Sequence, residues 1–250
     1  MSLERNEPGS GKPGKVYLIG AGPGAADLIT VRGARILAQA EVVLHDALVT
    51  EDMLQLCPQA VKISVGKRSG QRSTAQTHIN QQLVECAAQY KLVVRLKGGD
   101  PMMFGRADEE LRALEEAGIE IEVVPGITTA LAAAAATKHP LTKRGIARSV
   151  AFFTSSTAPN QPEQMALPDC DTLVQYMGGK EAMATARRLL AQGRPPDLPV
   201  VVVENCSRSN QCIMRLKLSE LEQGLSHFTG PVLVMIGEAF AARNPTDAGT

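Results

Sequence analysis

From about residue 15 onward, short runs of apolar, β-branched residues alternate with helix-length segments, and that alternation limits the possible folds more than any other feature. Strand-like runs at 16–19, 42–44, 61–65, 92–96 and 119–124 are separated by stretches at 28–39, 74–90, 106–117 and 128–137. The intervening stretches carry apolar residues at helical spacing with few breakers. Strands joined through helices read as α/β, and a helical crossover returns the next strand parallel to the last. After His139-Pro140 the pattern changes: runs at 150–154, 172–176, 200–204, 212–216 and 232–236 read as strands, and 181–192 is the one long helix. The expectation is an α/β protein of two α/β domains. The first spans 15–138 with a mostly parallel sheet, the second spans 139–243 with a mixed sheet, and the active-site cleft is expected between them. Residues 1–14, polar and rich in Gly and Pro, read as a mobile tail, and 244–250 as a second tail.

Several function classes are disfavoured by what the chain lacks. The 26 basic and 26 acidic residues cancel, so neither a nucleic-acid arm nor an acidic tail is indicated. Trp is absent and aromatics make up 3% of the chain, too few for the stacking platforms that single-stranded nucleic acid needs. Five cysteines, an odd number without a Cys-x-x-Cys pair, and four scattered histidines point to a reducing compartment and to no metal. No apolar run has the length of a signal peptide or membrane span, so the reading is a cytoplasmic protein with no membrane partner.

Two glycine loops stand at strand ends. The run Val94-Arg-Leu-Lys-Gly-Gly-Asp-Pro101 is an extended segment stopped by two glycines and a proline. Gly98 and Gly99 let the chain turn where a Cβ would clash, a ligand can lie against the exposed amides, and Asp100 can accept a hydrogen bond there. An ordinary strand-to-helix turn has the same residues. Earlier, the strand at 16–19 runs into Gly20-Ala-Gly-Pro-Gly-Ala25, a formal match to the dinucleotide fingerprint, with Asp46 beyond the second strand as a candidate ribose ligand. The order Pro23-Gly24 is unusual for that fingerprint, and no second redox element follows it. A flavin- or nicotinamide-dependent redox protein stays open on this loop alone.

Taken in order, Gly20-Ala-Gly-Pro-Gly24, Asp46, Gly66-Lys-Arg68, Lys97-Gly-Gly-Asp-Pro101, Pro125-Gly-Ile-Thr-Thr129, Pro140-Leu-Thr-Lys-Arg-Gly145, Tyr176-Met-Gly178 and Val203-Glu-Asn205 resemble the tetrapyrrole methylase family. The resemblance covers residues 15–242, and it is closest to members that methylate ring carbons of uroporphyrinogen III. It implies two α/β domains, a homodimer, and S-adenosyl-L-methionine (SAM) as co-substrate, with S-adenosyl-L-homocysteine as product. The implied reaction forms precorrin-2 through precorrin-1, by methylation at C2 and C7. Sirohaem, cobalamin or haem d1 can lie downstream. A non-catalytic tetrapyrrole-binding relative is the other reading of the same resemblance.

Residue by residue, the resemblance puts Pro23, Gly98, Gly99, Asp100, Met103, Thr128, Thr129, Met177 and Cys206 around SAM. It puts Arg106, Glu109, Arg144 and Met177 at the substrate, and makes Asp46, Lys67 and Arg106 catalytic. The chemistry agrees with such a set. A sulfonium donor is already activated, so the protein has mainly to align the reactants and exclude water. An octacarboxylate substrate calls for fixed positive charge, which Lys62, Lys67, Arg68 and Arg72 supply in one stretch and Lys138, Lys143, Arg144 and Arg148 in another. A methylated pyrrole carbon must also lose a proton, a task for Asp46 or Lys67. Each residue also has a plainer reading: Asp46 as a strand-end cap, Met177 as core filler, any one basic residue as solvated surface. The chain departs from the family pattern at His45 (usually Tyr), Lys143 (usually His), Ala107-Asp108 (usually Gly-Gly) and Cys206 (commonly Gly).

Overall fold

A computed structural model describes residues 12–65, 74–155 and 166–242. Lys67, Arg68 and Arg72 lie outside the described residues, as do the expected tail over 244–250 and all but 12–14 of the expected tail over 1–14. Along the chain run β1 (Lys15–Gly20), α1 (Val31–Leu37), β2 (Val42–His45), α2 (Glu51–Leu54), β3 (Val61–Ser64), α3 (Thr74–Gln89), β4 (Leu92–Lys97), α4 (Ala107–Glu116) and β5 (Ile121–Val124). Then follow α5 (Thr129–Thr137), β6 (Val150–Thr154), β7 (Thr172–Tyr176), α6 (Gly178–Ala191), β8 (Pro199–Glu204), β9 (Cys212–Lys217), α7 (Leu218–Leu221) and β10 (Val232–Ile236). The architecture is α/β with two sheets.

Backbone contacts divide the chain into two compact units at Thr128/Thr129. The sequence pattern sets the boundary at 138/139. The intervening helix α5 is nearly all alanine, and its Ala130, Ala133 and Ala134 are buried in a cluster made of second-unit residues.

Among the described residues of the first unit the strand-to-strand pairings are parallel, in the order β3-β2-β4-β1-β5. The period of two along each strand gives both faces an apolar layer. Ile19, Val43, Val94 and Leu96 pack with Leu37 and Met53 on one side, while Val16, Leu18, Val42 and Val93 pack with Leu83 and Leu114 on the other. A fully buried side chain such as Leu18 contributes about 2 kcal/mol. Helix α1 starts at Val31 because the Thr30 hydroxyl accepts the Gly33 amide at 3.1 Å, an N-cap that cuts short the helix expected from residue 28.

The second unit has a mixed sheet, β6-β7-β10-β8-β9, in which β6 and β7 are parallel and the other pairings are antiparallel. Val200, Val202, Val234 and Ile236 face α6 and α7 residues Ala182, Leu189, Leu218 and Leu221. Val201, Val203, Leu233 and Met235 face the alanines of α5.

Candidate active site

Because β4 and β1 are central in a parallel sheet, their carboxyl ends open together, with that of β5 beside them, and the three connections that follow meet. Gly22 and Gly99 form an antiparallel bridge: the Gly99 amide donates to the Gly22 carbonyl at 2.7 Å and the Gly22 amide to the Gly99 carbonyl at 3.1 Å. The Ala21 amide donates to the Lys97 carbonyl at 2.7 Å. The connection after β5 closes against both. A Cβ on Gly126 would sit 2.7 Å from the Gly20 Cα and closer still to the Gly99 oxygen, so only glycine allows this approach. Gly99 adopts φ +71° and has nothing within 4 Å of the space a Cβ would take. The space beside Gly99 is open.

Two carboxylates pin the arrangement. Asp100 accepts from the Met102 amide at 2.8 Å and from the Gly126 amide at 2.9 Å, linking the β4 turn to the β5 turn. The pairing His45↔Leu96 brings Asp46 alongside Lys97, and Asp46 accepts from the Gly98 amide at 3.1 Å and the Leu48 amide at 2.9 Å. Asp46 therefore does act as a strand-end cap, while remaining only partly buried beside the glycine turn. The Met103 amide donates to the Asp100 carbonyl at 3.2 Å. Phe104 and Arg106 both take left-handed φ values, 51° and 56°, costly backbone of the kind that collects at working sites. The Arg106 guanidinium then meets Glu109 in a two-point contact of 2.7 and 2.8 Å, which holds the Glu109 carboxyl below its ordinary range.

Beneath this turn lies a set that reading the sequence did not single out. Glu110 is fully buried and accepts from Arg95 Nε at 3.1 Å, Lys97 Nζ at 2.9 Å and Gln76 Nε2 at 3.3 Å. Burial, then the neighbouring Arg95, lowers the Lys97 ammonium from its ordinary value. Two basic residues in a strand of a doubly covered sheet were the available signal.

In the second unit, Met177 caps α6 with φ 55° and is 53% exposed, so it is not core filler. The Ala130 amide, in the first turn of α5 just after Thr129, donates to the Tyr176 hydroxyl at 3.2 Å. Cys206 lies between Asn205 (φ 50°) and Ser207 (φ 60°), its thiol buried in the core cluster and pushed up to about 11 by that burial. Arg144 lines a recess of about 510 Å³ with Ile146, Arg148 and Asp171. There Asp171 is already engaged by the Ser149 hydroxyl at 2.7 Å and by the Arg148 and Ser149 amides, both at 2.9 Å.

Thus Pro23, Gly98, Gly99, Asp100, Met103, Asp46, Arg106 and Glu109 gather at one end of the first sheet or in the segments leading from it. Thr129, Met177, Cys206 and Arg144 belong to the second unit, and Thr128 is the last residue of the first. Among the described residues no three His, Cys, Asp or Glu side chains are grouped to hold a metal ion, and no helix is long and apolar enough to cross a membrane.

A family model described as Tetrapyrrole (Corrin/Porphyrin) Methylases matches residues 15–222. The chain belongs to the tetrapyrrole methylases. The uroporphyrin-III C-methyl transferase of Thermus thermophilus, solved in complex with S-adenyl homocysteine, is 36% identical with a TM-score of 0.79, covering 92% of this chain and 96% of that one. A cobalt precorrin-4 methyltransferase is 27% identical with a TM-score of 0.77, covering 91% and 96% respectively. Siroheme synthase of Zymomonas mobilis is 43% identical over 241 residues, which are 94% of this chain and 50% of that protein. The chain thus spans about half the length of the curated relatives it matches.

As a tetrapyrrole methylase the chain uses its first glycine loop differently from a dinucleotide fingerprint. In that fingerprint the glycines lead straight into a helix whose N-terminus receives the pyrophosphate. Here a 3-10 turn at Ala26–Leu28 intervenes, α1 begins only at Val31, and the loop is bridged to Gly99.

Proposed function

We propose that this tetrapyrrole methylase is a SAM-dependent C-methyltransferase that converts uroporphyrinogen III to precorrin-2 through precorrin-1, methylating C2 and C7. The observation that carries the reading is the junction of the Gly20–Gly24, Gly98–Asp100 and Pro125–Gly126 segments, held by Asp100 and Asp46. Its glycine-rich backbone, open beside Gly99, suits a ligand recognised through backbone amides and carbonyls, as the adenosyl and methionine parts of SAM can be. Bound there, SAM supplies an activated methyl group. Pro23, Gly98, Gly99, Asp100 and Met103 line its binding region, to which Thr128, Thr129, Met177 and Cys206 are assigned as well. Arg106 and Arg144 bind substrate carboxylates, Glu109 orients Arg106, Met177 contacts the substrate, and Asp46 takes the proton released from the ring carbon, with Lys67 as donor.

The similarity to the Thermus thermophilus enzyme supports this choice of substrate, and the altered glycine loop removes the main support for a flavin or nicotinamide reading. The protein works in the cytoplasm as a homodimer, in sirohaem, cobalamin or haem d1 synthesis. Anaerobic incubation with SAM and freshly generated uroporphyrinogen III, followed by mass spectrometry, tests the reading. Gain of two methyl groups, with S-adenosyl-L-homocysteine formed in proportion, is expected. Binding of SAM without methyl gain would refute it in favour of a later precorrin substrate or a non-catalytic relative.

A further inference from the structure

Arg95, Lys97 and Glu110 are 3%, 4% and 0% exposed, and the function proposed above gives none of them a task. Two cations share one carboxylate, so the enclosed set carries one more basic than acidic group. Sealing such a set in a protein interior is expensive, and well-packed apolar residues of similar volume commonly serve stability as well or better. Stability therefore does not account for it.

Its location does. Lys97 is the last residue of β4; its carbonyl receives the Ala21 amide, and the next amide, that of Gly98, is held by Asp46. Its side chain runs past Gly105, with Cε 3.2 Å from where a Gly105 Cβ would lie, and ends on Glu110 at 2.9 Å. Glu110 sits in the first turn of α4, one helical turn beyond Arg106. A second tie comes from α3: Gln76 donates to Glu110, and Asn80 donates to the Glu109 carbonyl at 3.0 Å. The charged groups that act on Lys97 are Arg95 from its own strand, Glu110 and Glu109 from α4, and Asp46 from the segment after β2.

We propose that Lys97 is a positioning residue: by tying the end of β4 to buried Glu110, it holds the Gly98–Asp100 turn, with its Asp46 contact, and the Arg106-bearing start of α4 in register. This rests on the function proposed above for what Asp46 and Arg106 do. Lys97→Met leaves a balanced Arg95–Glu110 pair, and a triple variant, Arg95→Met with Lys97→Met and Glu110→Leu, replaces the whole set by apolar residues. Both are compared with the unaltered chain by thermal unfolding, by NMR hydrogen exchange of the Gly98 amide that Asp46 holds, and by kcat and KM for uroporphyrinogen III.

Folded variants are expected in which the Gly98 amide, held by Asp46, exchanges roughly tenfold faster, because the end of β4 is no longer tied to α4. The kcat is expected to fall roughly ten- to a hundred-fold with KM little changed, because the reacting groups are misplaced. A folded variant of either kind with unchanged exchange of the Gly98 amide and the original kcat overturns the proposal. If the unaltered chain fails to methylate uroporphyrinogen III, the functional reading fails, and the exchange of the Gly98 amide still decides the role of Lys97.

Discussion

Gly126→Ala puts the strongest load on the three-loop junction. The new methyl would lie 2.7 Å from the Gly20 Cα and closer still to the Gly99 oxygen, where ordinary contact begins near 3.4 Å. Both obstacles are backbone, one in β1 and the other in the turn after β4, so no side chain can swing away. The β5 turn must withdraw by most of an ångström. That strain costs about 1–3 kcal/mol, and weakening the 2.9 Å bond from the Gly126 amide to Asp100 adds about 1 kcal/mol. The total of about 3 kcal/mol corresponds to a fall in Tm of roughly 6–12 °C for a domain of this size. Calorimetry gives the Tm, and isothermal titration with S-adenosyl-L-homocysteine gives the state of the ligand loops, where a loss of at least tenfold in affinity is expected. Gly118→Ala is the control: unlike Gly126 it has positive φ, +66°, but nothing lies within 4 Å, so it bears only the left-handed backbone penalty of about 1 kcal/mol. Equal Tm values for the two variants, or unchanged ligand affinity in Gly126→Ala, would refute the claim that this close approach builds the site.

The remaining expectations use smaller perturbations. Arg106→Ala breaks an ion pair that is half exposed on both sides, worth less than about 1 kcal/mol, so Tm should hold while methylation drops strongly; normal turnover would remove Arg106 from the site. Asp46→Ala leaves the Gly98 amide without its acceptor, at about 1–2 kcal/mol, and should abolish turnover; wild-type turnover would exclude Asp46 as the base. Cys86 and Cys206 are raised by burial from 9.0 to about 11, so the unfolded chain ionises first: stability is intact below pH 9 and falls between pH 9 and about 11, by about 2 kcal/mol per thiol at pH 10.5. Urea midpoints of Cys86→Ser and Cys206→Ser at pH 8 and 10.5 should each show a shallower alkaline loss than the parent chain, and parallel slopes would contradict the assignment.

How far the molecule can be read from its sequence follows from how local each feature is. Strands such as Val42–His45 and Val232–Ile236 announce themselves through β-branched runs, and a parallel first sheet follows from the helices between them. The four-residue helices α2 and α7 are shorter than any periodic signal. Helix α5 misleads in another way: its alanine run 132–136 has no polar face to say which core it joins, so its assignment to the second unit emerges only from packing. At the site, Gly98–Asp100 is legible as a turn, whereas the contact of Gly20 with Gly126 depends on β1 and β5 being neighbours, with paired residues such as Val16 and Ile121 far apart in sequence.

The Lys97 set shows a conflict that was present in the sequence from the start. Arg95 and Lys97 alternate with Val94 and Leu96, which by itself reads as a strand with one face in water. Yet a strand inside a parallel sheet is covered on both faces, so those two charges had to be buried and therefore paired. Their anion is Glu110, 15 and 13 residues further on, beyond a turn and on a helix whose acidic first turn reads simply as favourable to the helix dipole. Where local alternation and global topology disagree, the residues responsible are candidates for function, because a chain retains a costly buried charge only where it does something that leucine cannot.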